Sequence, residues 1–231
     1  HAQSKEANLQ VELAMSVYLK PRLAGLGKTL NQQGGGIGTR GPGEAKLETD
    51  SRLIDNRINK LRKELKKIER QRLLQASSRE KKNTPLVSIV GYTNAGKSTL
   101  LKSLTNSDAY AADELFATVD SLQRELPIKD IQEPLILSDT VGFIQNLPTT
   151  LIESFKSTLL VATSADLLIH VVDAATAIPE MHIGTVREIL EQIEVTADEV
   201  MVFNKVDRID QASLNDLSER YPQALFISSL K

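Results

Sequence analysis

Gly91-Tyr92-Thr93-Asn94-Ala95-Gly96-Lys97-Ser98 decides how this chain folds. An apolar run, Leu86-Val87-Ser88-Ile89-Val90, precedes it and reads as a buried parallel strand; Thr99-Leu100-Leu101-Lys102-Ser103-Leu104 follows with helical spacing. A strand, a glycine loop ending in Lys-Ser and a helix, in that order, predict a phosphate-binding loop rather than an ordinary glycine turn. Glycine at both ends lets the backbone curl so that successive N–H groups point at phosphate oxygens. The helix behind the loop adds its positive end. Lys97 then supplies an ammonium for the outer phosphates, and the Ser98 hydroxyl a ligand for Mg²⁺.

Beyond the loop, strand and helix patterns alternate through residues 83–231, the signature of a parallel sheet covered on both faces. Strands are expected near 86–90, 119–127, 135–139, 166–172, 199–203 and 224–228, and helices near 97–105, 149–162, 179–194 and 211–219. The short polar turn from Lys129 to Pro134 permits only an antiparallel hairpin. The expected fold class is therefore α/β, a phosphate-loop domain whose mostly parallel six-stranded sheet has one antiparallel edge.

Ligands of such sheets bind outside the carboxyl ends of the strands. In Asp139-Thr140-Val141-Gly142 the aspartate leaves an apolar strand where a carboxylate can hold Mg²⁺, and Gly142 offers its N–H to a terminal phosphate. Asn204-Lys205-Val206-Asp207 ends another strand. Asp207 can accept hydrogen bonds from N1–H and the exocyclic amine of guanine, which adenine cannot offer; Asn204 can reach the base and the stem of Lys205 can cover its ring. Ser228, Ser229 and Leu230 are placed to close over the base. In the loop-like stretch Phe116-Ala117-Thr118-Val119-Asp120, Thr118 is the hydroxyl expected to join Mg²⁺ only when the third phosphate is present, which makes a two-state switch. Lys97, Thr118 and Gly142 form the expected catalytic set.

Residues 1–82 read differently. Ala7, Val11, Ala14 and Tyr18 line one face of a helix over about 5–20 that Pro21 ends, and Ile54, Ile58, Leu61, Leu65 and Ile68 form a heptad-like seam in a second helix over about 47–77. Together they predict an antiparallel hairpin. Residues 52–82 hold 12 Lys+Arg against 4 acids, a balance that points to a polyanion. Between the helices lies a glycine-rich connection, 25–46, in which Gly34, Gly35, Gly36 and Gly41 permit close backbone approach while Arg40 and Lys46 add positive charge; it is expected to order against RNA.

The formal net charge of −2 hides this division: residues 1–82 carry 18 Lys+Arg against 9 Asp+Glu, and residues 83–231 carry 10 against 21. Two units, 1–82 and 83–231, with different partners are expected. With no cysteine, disulfides, thiolate catalysis and cysteine-ligated zinc are excluded. No apolar stretch approaches the roughly 18 residues that span a bilayer, and the absence of cysteine is compatible with a cytoplasmic home. His1, His170 and His182 are too scattered to suggest a site, and packing is their expected role.

With these motifs in view, the chain resembles the HflX family of translational GTPases. The match runs through Leu9 to Ala14, Gly34 to Glu44, Gly91 to Leu100, Leu115 to Asp120, Asp139 to Ile144 and Asn204 to Asp207, and the glycine-rich segment is its most discriminating part. The resemblance implies a Mg²⁺-dependent GTPase that binds the large ribosomal subunit and its RNA, and that helps split or rescue stalled ribosomes. It also implies a fragment: the helical part of an N-terminal domain and most of a GTPase domain. Phe143 stands where many GTPases carry the glutamine that orients the attacking water, so slow unaided hydrolysis and acceleration by the ribosomal subunit are expected. An RNA-remodelling ATPase, with ATP as a weakly used nucleotide, and an RNA-binding module with a regulatory nucleotide site are the alternatives.

Overall fold

The computed structural model describes residues 4–31, 42–81, 84–105, 123–128, 134–140, 142–143 and 161–230, but not the side chains of 23–31, 42–47, 75–78, 80 and 81. Two helices come first, α1 (Lys5–Asn31) and α2 (Pro42–Lys81). They run antiparallel: Arg72 of α2 bonds Glu6 near the start of α1 at 2.6 Å, while Asp55 of α2 pairs with Lys20 at 2.5 Å. Ile58, Leu61 and Leu65 form the seam predicted for α2, with Ile54 partly buried beside them.

Helix α1 departs from expectation twice. It does not end at Pro21, which sits inside it. An interior proline loses one backbone bond and costs about 3 kcal/mol; the turns that lead up to it are packed on α2 through Leu13 and Val17, with the Lys20–Asp55 ion pair beside Pro21. The second helix is likewise longer than expected, so the connection shrinks from both ends. The buried face also differs. Ala7, Gln10 and Leu13 are turned inward, whereas Val11 and Tyr18 are 36% and 59% exposed. Glu6 and Glu12, bonded to Arg72 and Arg57 of α2, lie on the same side as Leu13 and fix that rotation. Tyr18 instead lies beneath the Arg22 guanidinium, 3.5 Å from its ring centroid.

The second unit is a six-stranded sheet in the order β2-β3-β1-β4-β5-β6. Its strands are β1 (Leu86–Gly91), β2 (Gln123–Leu126), β3 (Leu135–Asp139), β4 (Leu167–Asp173), β5 (Asp198–Asn204) and β6 (Leu225–Phe226). Only β2 is antiparallel to its neighbour, as the short polar turn requires. Strand β6 is shorter than expected, and of the strand expected over 119–127 residues 119–122 lie outside the described residues. Helices α3 (Lys97–Thr105), α4 (Pro179–Gln192) and α5 (Gln211–Arg220) match the predicted positions, while of the helix expected over 149–162 only 161 and 162 lie among the described residues.

Every residue of β1 is buried, because helices cover both of its faces. Val87 and Ile89 pack under Leu100 and Leu101 of α3; Val90, on the other face, packs with Val186, Ile189 and Leu190 of α4. Ala7 of α1 joins this second cluster, together with Phe143. Strand β1 lies between β3 and β4, where the strand order reverses, so its carboxyl end opens at the crevice where such sheets bind ligands. No helix among the described residues is long and apolar enough to cross a membrane.

The observed rotation of α1 is testable. Leu13→Ala should lower stability by about 2–5 kcal/mol in urea unfolding followed by helical circular dichroism, and Tyr18→Ala by less than about 1 kcal/mol. The reverse order would restore the face read from sequence.

Candidate nucleotide-binding site

The loop after β1 is shaped by two close approaches. Gly91 has φ +152°, and a Cβ there would stand 2.2 Å from the Val171 carbonyl oxygen; at Gly96, φ +94°, it would stand 2.3 Å from Nδ2 of Asn204. Only glycine admits either contact. Asn94, between them, is also left-handed at φ +59°, a conformation its short polar side chain tolerates. The loop curls round its own lysine: Lys97 Nζ donates to the Tyr92 carbonyl at 2.9 Å and is buried. Burial pushes the Lys97 amine down to about 8; the Asp139 carboxylate opposes this and Lys205 adds to it. At neutral pH it remains mostly a cation. The first-turn amides of α3 have no acceptors within the helix and leave its positive end facing the loop.

The end of β3 is laced to this loop. Phe143 N–H donates to the Gly91 carbonyl at 3.2 Å, and Thr93 N–H to the Phe143 carbonyl at 2.7 Å. Thr140 donates its hydroxyl to the Ile89 carbonyl at 2.7 Å. A Cβ on Gly142 would lie 2.8 Å from Thr93 Cα and 3.1 Å from Lys97 Nζ, so the missing side chain is what lets the two segments meet. Asp139 is fully buried and accepts from the Ser98 hydroxyl at 2.6 Å. This hydroxyl and carboxylate fit Mg²⁺, which takes one or two protein oxygens beside substrate phosphates and water. Among the described residues no cluster of three or more His, Cys, Asp or Glu would instead hold an all-protein metal centre.

The end of β5 approaches from the other side. Asn204, expected to reach the base, has both ends of its buried amide engaged by protein: Nδ2 donates to the Ala95 carbonyl at 3.0 Å, and Oδ1 accepts from Ser229 N–H at 3.0 Å and Ser229 Oγ at 2.9 Å. Lys205, left-handed at φ +66°, donates to the Asn94 carbonyl at 2.6 Å. Val206 opens a single 3₁₀ turn, and the exposed Asp207 accepts from the Ser228 hydroxyl at 2.6 Å. Leu230 is exposed beside them.

Gly91 to Thr99, Asp139, Thr140, Gly142, Asn204 to Asp207 and Ser228 to Leu230 thus converge on one end of the sheet. Phe116 to Asp120, with the candidate switch Thr118, lie outside the described residues, as do Val141, Gly34, Gly35, Gly36, Arg40 and Gly41. Lys46 lies in α2, its side chain outside the described set. Sequence reasoning missed two contacts. His182 of α4 stacks on Tyr92 of the loop, with centroids 3.8 Å apart and planes 8° from parallel, and no spacing announces that pair. Asp173, the last residue of β4, accepts from Lys205 Nζ at 2.7 Å. Its signal was available, since it leaves an apolar strand just as Asp139 does. His170, with Nδ1 2.6 Å from Glu199, packs inside the sheet as expected.

Residues 86–205 match the family model of the 50S ribosome-binding GTPases, and residues 1–79 that of the GTP-binding GTPase middle region. The GTPase HflX of Caldanaerobacter subterraneus subsp. tengcongensis is 50% identical over 210 residues, covering 90% of this chain and 49% of that protein. The chain belongs to the HflX family of GTPases. The HflX of Escherichia coli K12 is 43% identical over 231 residues, covering 99% of this chain and 54% of its own. The chain thus spans about half the length of the curated relatives it matches. A GTP-binding protein from the hyperthermophilic archaeon Sulfolobus solfataricus, solved in complex with GDP, is 29% identical with a TM-score of 0.56, covering 100% of this chain and 63% of that one. The HflX resemblance drawn from the motifs therefore holds over both the helical unit and the sheet.

Truncating Asn204 would leave the Ala95 carbonyl and the Ser229 donors unpaired in a buried place. Asn204→Ala should therefore lower stability by about 2 kcal/mol, measured by chemical denaturation without nucleotide.

Proposed function

We propose that the chain is a Mg²⁺-dependent GTP hydrolase that binds GTP and GDP, acts in the cytoplasm on the large ribosomal subunit, and serves ribosome splitting or rescue. Residues 83–231 form the GTPase domain in this reading, and residues 1–82 face ribosomal RNA through the basic hairpin and the glycine-rich Gly34 to Lys46 segment. The observation that carries it is the meeting of Lys97 Nζ, the Ser98–Asp139 pair and Gly142 along one edge of the loop. Membership of the HflX family and the GDP-bound archaeal relative support it.

A polyphosphate entering the loop meets backbone N–H groups, the end of α3 and the Lys97 ammonium, and its negative charge restores the proton affinity that burial removes. As water attacks the terminal phosphorus in line, Lys97 and the loop amides take up the charge that develops on the phosphoryl oxygens. Bound Mg²⁺ would supply Lewis-acid neutralisation of the phosphates, with Ser98, Asp139 and Thr118 as the residues that would hold it. Gly142 donates to the terminal phosphate and Thr118 reports its loss. Phe143 does not orient the water. Its ring is 2% exposed and packs with Val90, Ala162 and Leu168, which supports slow intrinsic turnover and a need for help from the ribosomal subunit.

Large subunits should raise the single-turnover rate of GTP hydrolysis at least about tenfold over the free chain; equal rates would overturn the ribosomal part of the reading. Asp207→Asn replaces an acceptor facing the guanine N1–H and amine by an amide. It should weaken GDP about 100-fold or more and admit xanthosine diphosphate, measured by calorimetric titration. Unchanged selectivity would overturn the assignment of Asp207 to the base.

A further inference from the structure

Asp173 has no part in the chemistry above, yet its carboxylate is held from several directions. It ends β4 in register with Asn204 of β5, and the amide after it, Ala174 N–H, donates to the Asn204 carbonyl at 2.8 Å. Oδ1 accepts from Ala175 N–H at 2.9 Å and closes the following turn. Oδ2 is left for Lys205 Nζ, at 2.7 Å, and the two side chains are only 22% and 12% exposed. The same ammonium donates to the Asn94 carbonyl of the phosphate loop at 2.6 Å.

A lysine stem has four rotatable carbons and about 2 kcal/mol of rotamer entropy, so one neutral carbonyl would hold it loosely. A second, charged acceptor fixed by its own turn changes that, because charge-assisted hydrogen bonds are roughly twice as strong as neutral ones. Lys205 is also left-handed at its backbone, a conformation that side-chain anchorage helps to hold. With its ammonium pinned between β4 and the loop, the methylene stem runs from the end of β5 to the phosphate loop, its Cε 3.9 Å from where a Cβ on Gly96 would stand, two positions before Asp207 in the chain. Such a stem is apolar along its length, and a flat ring can lie against one that is held still.

We infer that Asp173 is a positioning residue for the nucleotide base: it clamps Lys205 against the phosphate loop so that the lysine stem is preorganised as one wall of the base pocket. The inference rests on the guanine-nucleotide reading proposed above and adds to it a division of labour. Asp207 reads the edge of the base, and Asp173, through Lys205, sets the plane in which the base lies. Removing the clamp therefore weakens every purine nucleotide by the same factor, whichever groups its edge carries.

Asp173→Asn tests this, because the amide oxygen can still accept from Ala175 N–H while the charged acceptor facing Lys205 is replaced by an NH2 group that cannot accept. Dissociation of fluorescently labelled GDP and inosine diphosphate from the full chain is followed by stopped flow. The expected result is a rise in both off-rates by about the same tenfold factor, with on-rates little changed and the circular dichroism melt preserved. Asp173→Glu should recover part of the loss. In a double-mutant cycle, Asp173→Asn should add nothing once Lys205→Met is present, which a merely structural role would not produce. If Asp173→Asn releases GDP at the unsubstituted rate, speeds the release of only one of the two nucleotides, or adds fully to Lys205→Met, the inference is wrong. Should Asp173→Asn fail to fold, Asp173→Ser takes its place in the same cycle: equal weakening of both nucleotides that disappears once Lys205→Met is present supports the clamp, and selective or additive weakening overturns it. Failure of the unsubstituted chain to bind GDP would overturn the guanine reading and this inference together.

Discussion

A cation buried inside its own loop is the constraint on which this structure turns. Taking the Lys97 ammonium out of water is unfavourable, and its lowered proton affinity, about 8, records that. What makes the position tenable is local: the Tyr92 carbonyl as acceptor and the Asp139 carboxylate as counter-charge. Both partners depend on the glycines. Without the close approach of Gly91 to Val171 and of Gly142 to Thr93, the Tyr92 carbonyl and the Asp139 segment could not converge on one ammonium. A charge that remains imperfectly compensated is what would favour an anion at the loop.

The same convergence ties the helical hairpin to the site. Phe143 exchanges backbone hydrogen bonds with both Gly91 and Thr93, and its ring lies in the cluster that contains Ala7 of α1 and Val186 of α4. Ala7 is 1% exposed and small, so the helix comes close to the ring without room for slack. At the same end of the hairpin, where α2 closes, the Arg79 carbonyl accepts from Thr84 N–H at 3.3 Å and its guanidinium approaches Ser164 Oγ at 3.4 Å. A shift of the segment after Asp139 would therefore press on α1 through packed atoms.

Much of this was legible in the sequence, for reasons that differ by element. The loop, the Asp139 segment and the Asn204 to Asp207 turn announce themselves because their chemistry fixes residue types at fixed spacing. The antiparallel edge followed from chain length alone, since Lys129 to Pro134 is too short for a crossover. The face of α1 was not legible: Ala7, Val11, Ala14 and Tyr18 make as good a stripe as Ala7, Gln10, Leu13 and Val17. The choice between them is made by arginines 57 and 72, forty or more positions away. Pro21 misled because its local cost was the only term the sequence offers, whereas the turns before it are also held from α2, through Leu13, Val17 and the Lys20–Asp55 pair. Asn204 was read as a base contact from its place beside Lys205 and Asp207 in the motif, whereas its amide is engaged in joining the loop to the chain after β6.

The hairpin's ion pairs also bear on how a polyanion would be met. Glu6, Glu12 and Asp55, three of the acids in this basic unit, are engaged between the helices by Arg72, Arg57 and Lys20. Lys60, Lys63 and Lys66 remain exposed on α2, so pairing inside the hairpin concentrates unbalanced positive charge on its outer surface. The sheet unit carries the opposite excess, 21 acids against 10 bases over residues 83–231. A molecule charged in this way is oriented by the field of a polyanion before any contact forms: the hairpin is drawn forward and the sheet unit is held back. Among the described residues, the cluster that holds Ala7 and Phe143 is one place where the hairpin and the end of β3 share a packed core, and so one route by which the proposed RNA partner could influence hydrolysis.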